Sequence, residues 1–168
     1  MKLLPPTSAA GFGLVEFMVA LAIIAILASL GAASFGSVTG KTRVTAAASG
    51  LLHAIELTRA ESLKRASRVT LAPNDGTWTS GWAVFIDVNG NRRLDAGEPL
   101  LHQHAALPAT TRLVADTTPG YIAFGMRGTP QQYGGAFLAG TITLCDGNVA
   151  QSVVLAKSGR PRVGSAAC

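Results

Sequence analysis

The chain has 168 residues, a formal net charge of +5 and a pI near 9.8, with 48% apolar but only 14% charged residues. That length suits one compact domain with an appendage, and a single long apolar block rules out more than one membrane crossing. The positive excess favours anions such as nucleic acid or lipid headgroups, although a solvated basic face has the same composition.

The chain opens MKLLPPTSAAG, with one basic residue, Lys2, and a small residue, Gly11, directly before an apolar run. No charge interrupts the run from Phe17 to Gly40. As a helix it is long enough to span about 30 Å of hydrocarbon. An ordinary secretory signal carries its small-residue cleavage site after the apolar stretch. Here the small residue comes first, so a cut after Gly11 leaves the helix on the mature chain with Phe12 as its new N-terminus. Glu16 sits at the edge of the run. A carboxylate in hydrocarbon is costly unless paired, whereas a helix start welcomes a negative charge through its dipole.

The order Gly11, Phe12, Gly13, Leu14, Val15, Glu16, Phe17 resembles the processing motif of type IV pilins and their secretion-system relatives, the pseudopilins. Gly13 departs from the usual Thr and Phe17 from the usual Leu, and the leader is poor in Lys and Arg. The resemblance implies that prepilin peptidase removes residues 1–11 and that Phe12 is methylated. It also implies that Glu16 pairs with the N-terminal amine of a neighbouring pilin subunit. An unpaired subunit in the inner membrane is then driven towards the growing fibre.

Beyond Gly40 the composition changes but helical spacing persists through Val44, Ala48, Leu51, Ile55 and Ser62. Lys41, Arg43, Arg59, Lys64, Arg65 and Arg68 supply a polar side, with Glu56 and Glu61 among them. An apolar stripe of this kind is built to cover a sheet. One helix is therefore expected over 13–66, its first half embedded in lipid or fibre and its second half in the head. Gly31, Gly36 and Gly40 weaken the junction, each by up to about 1 kcal/mol in a helix interior. The expected domains are the leader 1–11, the membrane and assembly helix 12–40, and the head 41–168.

After residue 68 the pattern turns to strands, predicted at Val69–Ala72, Trp82–Asp87, Leu100–His104, Tyr121–Phe124, Gly140–Cys145 and Val149–Ala156. The fold class is α+β, a long helix packed on a small antiparallel β head, which is also the pilin fold that the resemblance implies. The loop DVNGNRRLDAGE places oxygen-bearing side chains at Asp87, Asn89, Asn91, Asp95 and Glu98, with the spacing of an EF-hand loop. Arg92 stands where the sharp turn needs Gly, so the stretch reads as a hairpin loop rather than a calcium site. His102 and His104 share a strand face without an evident third ligand. No cofactor site, metal site or catalytic signature stands out, so an enzyme is not expected.

The tail reads CDGNVAQSVVLAKSGRPRVGSAAC. A membrane-delivered domain matures in an oxidising compartment, so Cys145 and Cys168 are expected to form a disulfide. The enclosed segment carries Lys157, Arg160 and Arg162 against one acid, Asp146. Ser158 and Gly159 suit a turn, and Pro161 restricts the chain between the two arginines. Guanidiniums on such a turn suit phosphate, while the same charges also suit a solvated, solubilising turn.

Gly159, Arg160, Pro161 and Arg162, enclosed by the cysteines, resemble the G-R-x-R tail of FimT-type minor pilins. The LTRAESLKR segment, the WAVFIDVNGN stretch and the TLCD strand end are similar to the FimT/GspH subgroup as a whole. The resemblance implies a minor type IV pilin, single-pass in the inner membrane with a periplasmic head, then displayed in a pilus at the cell surface. Its partners are other pilin subunits, prepilin peptidase and double-stranded DNA. The resemblance implies that the DNA is gripped without sequence preference through phosphates, by Arg160 and Arg162 with Lys157 and Gly159, during natural transformation. The alternative is a structural or priming minor pilin, or a GspH-like pseudopilin of type II secretion, that binds no DNA.

Overall fold

The computed structural model describes residues 13–168, except the side chains of residues 28–35 and 37. The expected leader, its cleavage residue Gly11 and Phe12 lie outside the described residues. The chain divides into two compact units, one ending at Gly36 and the other Ser37–Cys168. The boundary falls among the glycines where the sequence places its weakest helical stretch.

Helix α1 runs Leu14–Arg65, close to the predicted bounds. At its start Gly13 donates its N–H to Glu16 Oε2 at 3.2 Å. A carboxylate three residues into a helix that reaches back to the cap N–H is one half of a capping box. Glu16 thus caps the start of the helix. In the first unit Leu14, Phe17, Met18, Ile24 and Leu27 each expose 60–78% of their surface. Among the described residues no helix is long and apolar enough to cross a membrane. Residues 28–35 and 37 fall inside the stretch that the sequence assigns to the bilayer.

The second unit holds eight strands: β1 Val69–Pro73, β2 Trp82–Phe85, β3 Leu100–His104, β4 Thr111–Asp116, β5 Ile122–Phe124, β6 Gly140–Asp146, β7 Val149–Leu155 and β8 Pro161–Ala166. They form two antiparallel four-stranded sheets, ordered β3-β2-β1-β5 and β4-β6-β7-β8. β4 and β8 were not predicted, and both are edges of the second sheet. Of the stripe, Ala48, Leu51 and Ile55 pack into one core with Leu71, Trp82, Phe85, Phe124, Ile142 and Leu144, and Val44 is buried as well. Each large apolar side chain buried in that core contributes about 1.5–3 kcal/mol. Ser62, predicted in the stripe, is fully buried, and so is Thr58. Their hydroxyls donate to Arg59 O at 2.7 Å and Ala54 O at 2.6 Å, so neither is left without a partner.

Polar contacts fix α1 along both sheets. Asp146, at the end of β6, accepts from Thr110 at 2.6 Å and lies 3.7 Å from the Arg43 guanidinium. Gln151 of β7 donates to Thr45 at 3.2 Å. Gly50 lets the ring of His104 approach the helix, and that ring stacks on Trp82 with centroids 4.1 Å apart. The His104 ring thus packs against aromatic and helix surface, whereas the sequence read it as part of a polar strand face.

The loop after β2 is organised from within. Asp87 is buried, and its carboxylate accepts backbone N–H groups from Gly90, Asn91 and Arg92. It also accepts the hydroxyl of Tyr133, which shares a second hydrogen bond with Thr70. Asn89 and Asn91 both donate to Asp95, and Glu98 accepts from Val88 and Asp95. The oxygens that resembled a calcium set by spacing are thus engaged with the loop itself. Among the described residues no three His, Cys, Asp or Glu side chains are grouped to hold a metal.

Burial, followed by the Asp87 contact, raises the Tyr133 phenol well above its ordinary value near 10. The folded head keeps this proton while the unfolded chain releases it near pH 10. The contribution to stability is whole below that pH and drains away as pH rises above it. In an alkaline titration followed by tyrosine absorbance, one tyrosine is expected to ionise only as the head unfolds. Tyr133→Phe should remove that late step, and a Tyr133 that ionises near pH 10 in the folded head contradicts this account.

Candidate functional site

The second sheet ends in the β7–β8 hairpin. Leu155 pairs with Pro161 and Val154 with Arg162. Between the strands Gly159 N–H donates to Ala156 O at 2.8 Å, and Ala156 N–H donates to Arg160 O at 3.2 Å. Gly159 has φ +79°. A tight turn followed by a left-handed residue is a common three-residue hairpin loop, and the left-handed position favours Gly.

Gly159 is also buried. A Cβ there would stand 3.1 Å from Pro130 Cδ and 3.2 Å from Phe124 Cε1. The turn is thus seated on the end of β5 and the segment that follows it, and both its dihedral and its closeness disfavour a side chain. Only Lys157, Ser158 and Gly159 make the turn. Arg160 stands at its exit and Arg162 lies within β8. Arg160 and Arg162 therefore lie two positions apart on either side of the first residue of β8. Lys157, Arg160 and Arg162 are all exposed. Among the described residues none of the three has an ion pair or a side-chain hydrogen bond.

The disulfide Cys145–Cys168 is formed, with Cα atoms 5.9 Å apart. It links β6 to the tail that follows β8, and β7 lies between those two strands in the sheet. The hairpin is thereby closed at the end opposite its turn.

The fold separates the four basic residues near the end of α1. Lys64 and Arg65 pair with Glu61 at 3.4 and 2.5 Å, and Arg65 foremost lowers the pKa of that carboxylate. The Arg68 guanidinium lies 4.5 Å from the centroid of the Tyr133 ring. Arg59 instead faces the hairpin and donates to Gly159 O at 3.4 Å. Arg127 is exposed on the turn between Gly125 and Gly128. The Gly128 carbonyl oxygen would stand 3.4 Å from a Cβ on Gly159. Sequence reasoning missed Arg59 and Arg127 as neighbours of the hairpin, because only the fold brings three separate segments to one end of the head. Chemically, the arrangement places the exposed guanidiniums of Arg160 and Arg162, with no ion pair among the described residues, beside the turn, which suits phosphate oxygens.

Residues 47–159 match the protein family described as type II transport protein GspH, and residues 7–32 match the prokaryotic N-terminal methylation motif. No curated protein matches the chain. Two crystal structures of the type IV minor pilin FimU from Pseudomonas aeruginosa strain PAO1, in space groups P21 and P65, share the fold. Their TM-scores are 0.58 and 0.55, at 16% and 15% sequence identity. The alignments cover 75% and 71% of this chain and 91% of each FimU chain.

Proposed function

We propose, from the premise that the chain belongs to the type II transport protein GspH family, that it is a minor type IV pilin whose β7–β8 hairpin binds DNA during natural transformation. The observation that carries this reading is the pair Arg160 and Arg162, exposed two positions apart on the β7–β8 hairpin with no acidic partner among the described residues. Lys157 adds charge from the turn, and Gly159 sets its shape.

The methylation motif and the exposed apolar side chains of the first unit support insertion in the inner membrane, followed by assembly with other pilin subunits. In this reading prepilin peptidase cuts after Gly11 and Phe12 is methylated. Glu16, no longer committed to its own helix start, accepts the neighbouring subunit's amine. The head contributes no catalysis. It captures DNA at phosphates, and fibre retraction draws the DNA in. Weak contacts per subunit suffice where several subunits act along one fibre.

The test uses the full-length chain in neutral detergent, titrated with duplex DNA over a range of salt. Binding is expected to weaken steeply with salt, because phosphate contacts release counterions. Arg160→Gln together with Arg162→Gln should lower affinity at low salt by about tenfold or more, with a shallower salt dependence. Their substitution should leave thermal stability nearly unchanged, since both side chains are exposed and unpaired.

A second reading is favoured by the family match itself, which is to a secretion protein. In that reading the head contacts only other subunits, in a pilus or a type II secretion system. Absence of DNA binding by the folded wild-type chain at low salt selects it.

A further inference from the structure

A groove of about 420 Å³ runs between α1 and the hairpin. Glu56, Arg59, Ala60 and Leu63 line it from the helix, and Arg160 and Pro161 line it from the hairpin. We propose that this groove seats one backbone phosphate of the bound DNA between the guanidiniums of Arg59 and Arg160, and that Glu56 weakens the seat by repulsion. This rests on the DNA-binding reading above and names a residue, on a different element, that the G-R-x-R tail does not contain.

The geometry supplies both cations. Arg59 spends one N–H on the Gly159 carbonyl at 3.4 Å. A guanidinium carries five donors in a planar fork, so four remain. That same contact ties the helix wall to the turn and holds the two arginines in one groove. Leu63, 52% exposed, and Pro161 offer apolar surface that a deoxyribose can cover.

Glu56 is the acid in this lining. It is exposed, and no ion pair engages it among the described residues. A carboxylate facing a phosphate in a partly enclosed groove repels it more strongly than it would across open water. The groove thus contains two charges that attract the strand and one that limits how tightly it holds.

Three single variants of the full-length chain in neutral detergent, titrated with a short duplex over a range of salt, test this. Arg59→Gln is expected to weaken binding about fivefold and to lower the slope of log affinity against log salt by about one, as for one lost phosphate contact. Arg59→Lys should restore the slope, because the charge is kept. Glu56→Gln should tighten binding about threefold, a gain that no structural role of Glu56 predicts.

An Arg59→Gln variant with an unchanged slope overturns the proposal, since Arg59 then only positions the turn. A Glu56→Gln variant with unchanged affinity overturns it as well. If the Arg160 and Arg162 substitutions abolish binding while Arg59→Gln has no effect, the hairpin binds DNA and the groove does not. If the wild-type chain binds no DNA, the underlying reading fails and the groove proposal with it.

Discussion

Reducing the Cys145–Cys168 bond is expected to lower the stability of the head by about 3 kcal/mol, the chain-entropy value for a loop of this size. The two cysteines are 23 positions apart, and the loop between them contains β7, the turn and β8. β8 is an edge strand held by a single ladder to β7. The bond ties its trailing end to β6, two strands away in the sheet. Once it is broken, the tail and β8 can fray without disturbing the central strands, and Arg162 frays with them.

Thermal unfolding with and without reductant measures the effect, with a fall of roughly 10 °C expected for a domain of this size. Cys145→Ala with Cys168→Ala should behave like the reduced wild type, apart from the small gap left at the buried Cys145. DNA affinity should fall in the same samples, because one of the two guanidiniums loses its rigid support. An equal melting temperature in both redox states would show that the β7–β8 ladder suffices by itself.

Gly159→Ala is expected to cost about 2–3 kcal/mol. About 1–2 kcal/mol comes from holding a non-glycine residue in the left-handed region at φ +79°. The remainder comes from a Cβ placed 3.1–3.2 Å from Pro130 and from the fully buried Phe124, neither of which yields freely. Gly147→Ala provides the comparison. That residue has φ +59° in the β6–β7 turn, but nothing lies within 4 Å of its Cβ position. It should bear only the backbone cost.

Denaturant unfolding of the two variants side by side separates the two contributions. The Gly159 variant should also bind DNA more weakly, since the turn cannot relax without shifting Arg160. Equal losses at both glycines would mean that the seat on Phe124 and Pro130 contributes nothing.

These expectations depend on features of unequal legibility. The turn at Ser158 and Gly159 was readable because Gly beside Ser in a break between strands has a local cause. The helix was readable because one face must be apolar every three to four residues. The hairpin's second strand was not. PRVGSA begins with Pro, contains Gly and has no buried residue, so no apolar alternation marks it. β4, TRLVAD, was equally opaque, with five of its six residues at least partly exposed. Both are edges of the second sheet, where one side faces solvent and side-chain choice is loosely constrained. What places them is pairing with β6 and β7, a contact between distant parts of the chain.

The candidate site divides in the same way. Arg160 and Arg162 stood out because they lie two positions apart in a segment with a single acid, and the cysteines because the chain has only two. Arg59 did not, since it is one of several basic residues on a helix and spacing alone cannot rank them. Ion pairing with Glu61 engages Lys64 and Arg65, and Arg68 lies over an aromatic ring. That leaves Arg59 facing the turn across a separation of 100 residues.

By itself, then, the sequence determined the helix, the processing motif, the central strands, the turn glycine and the paired cysteines. Each follows from periodicity, backbone restriction or covalent chemistry that acts over a few residues. The tertiary structure alone decided the edge strands of the second sheet, the inward-facing hydrogen bonds of the Asp87 loop and the groove between helix and hairpin. These arise from burial and from contacts between segments far apart in the chain, which no local pattern encodes.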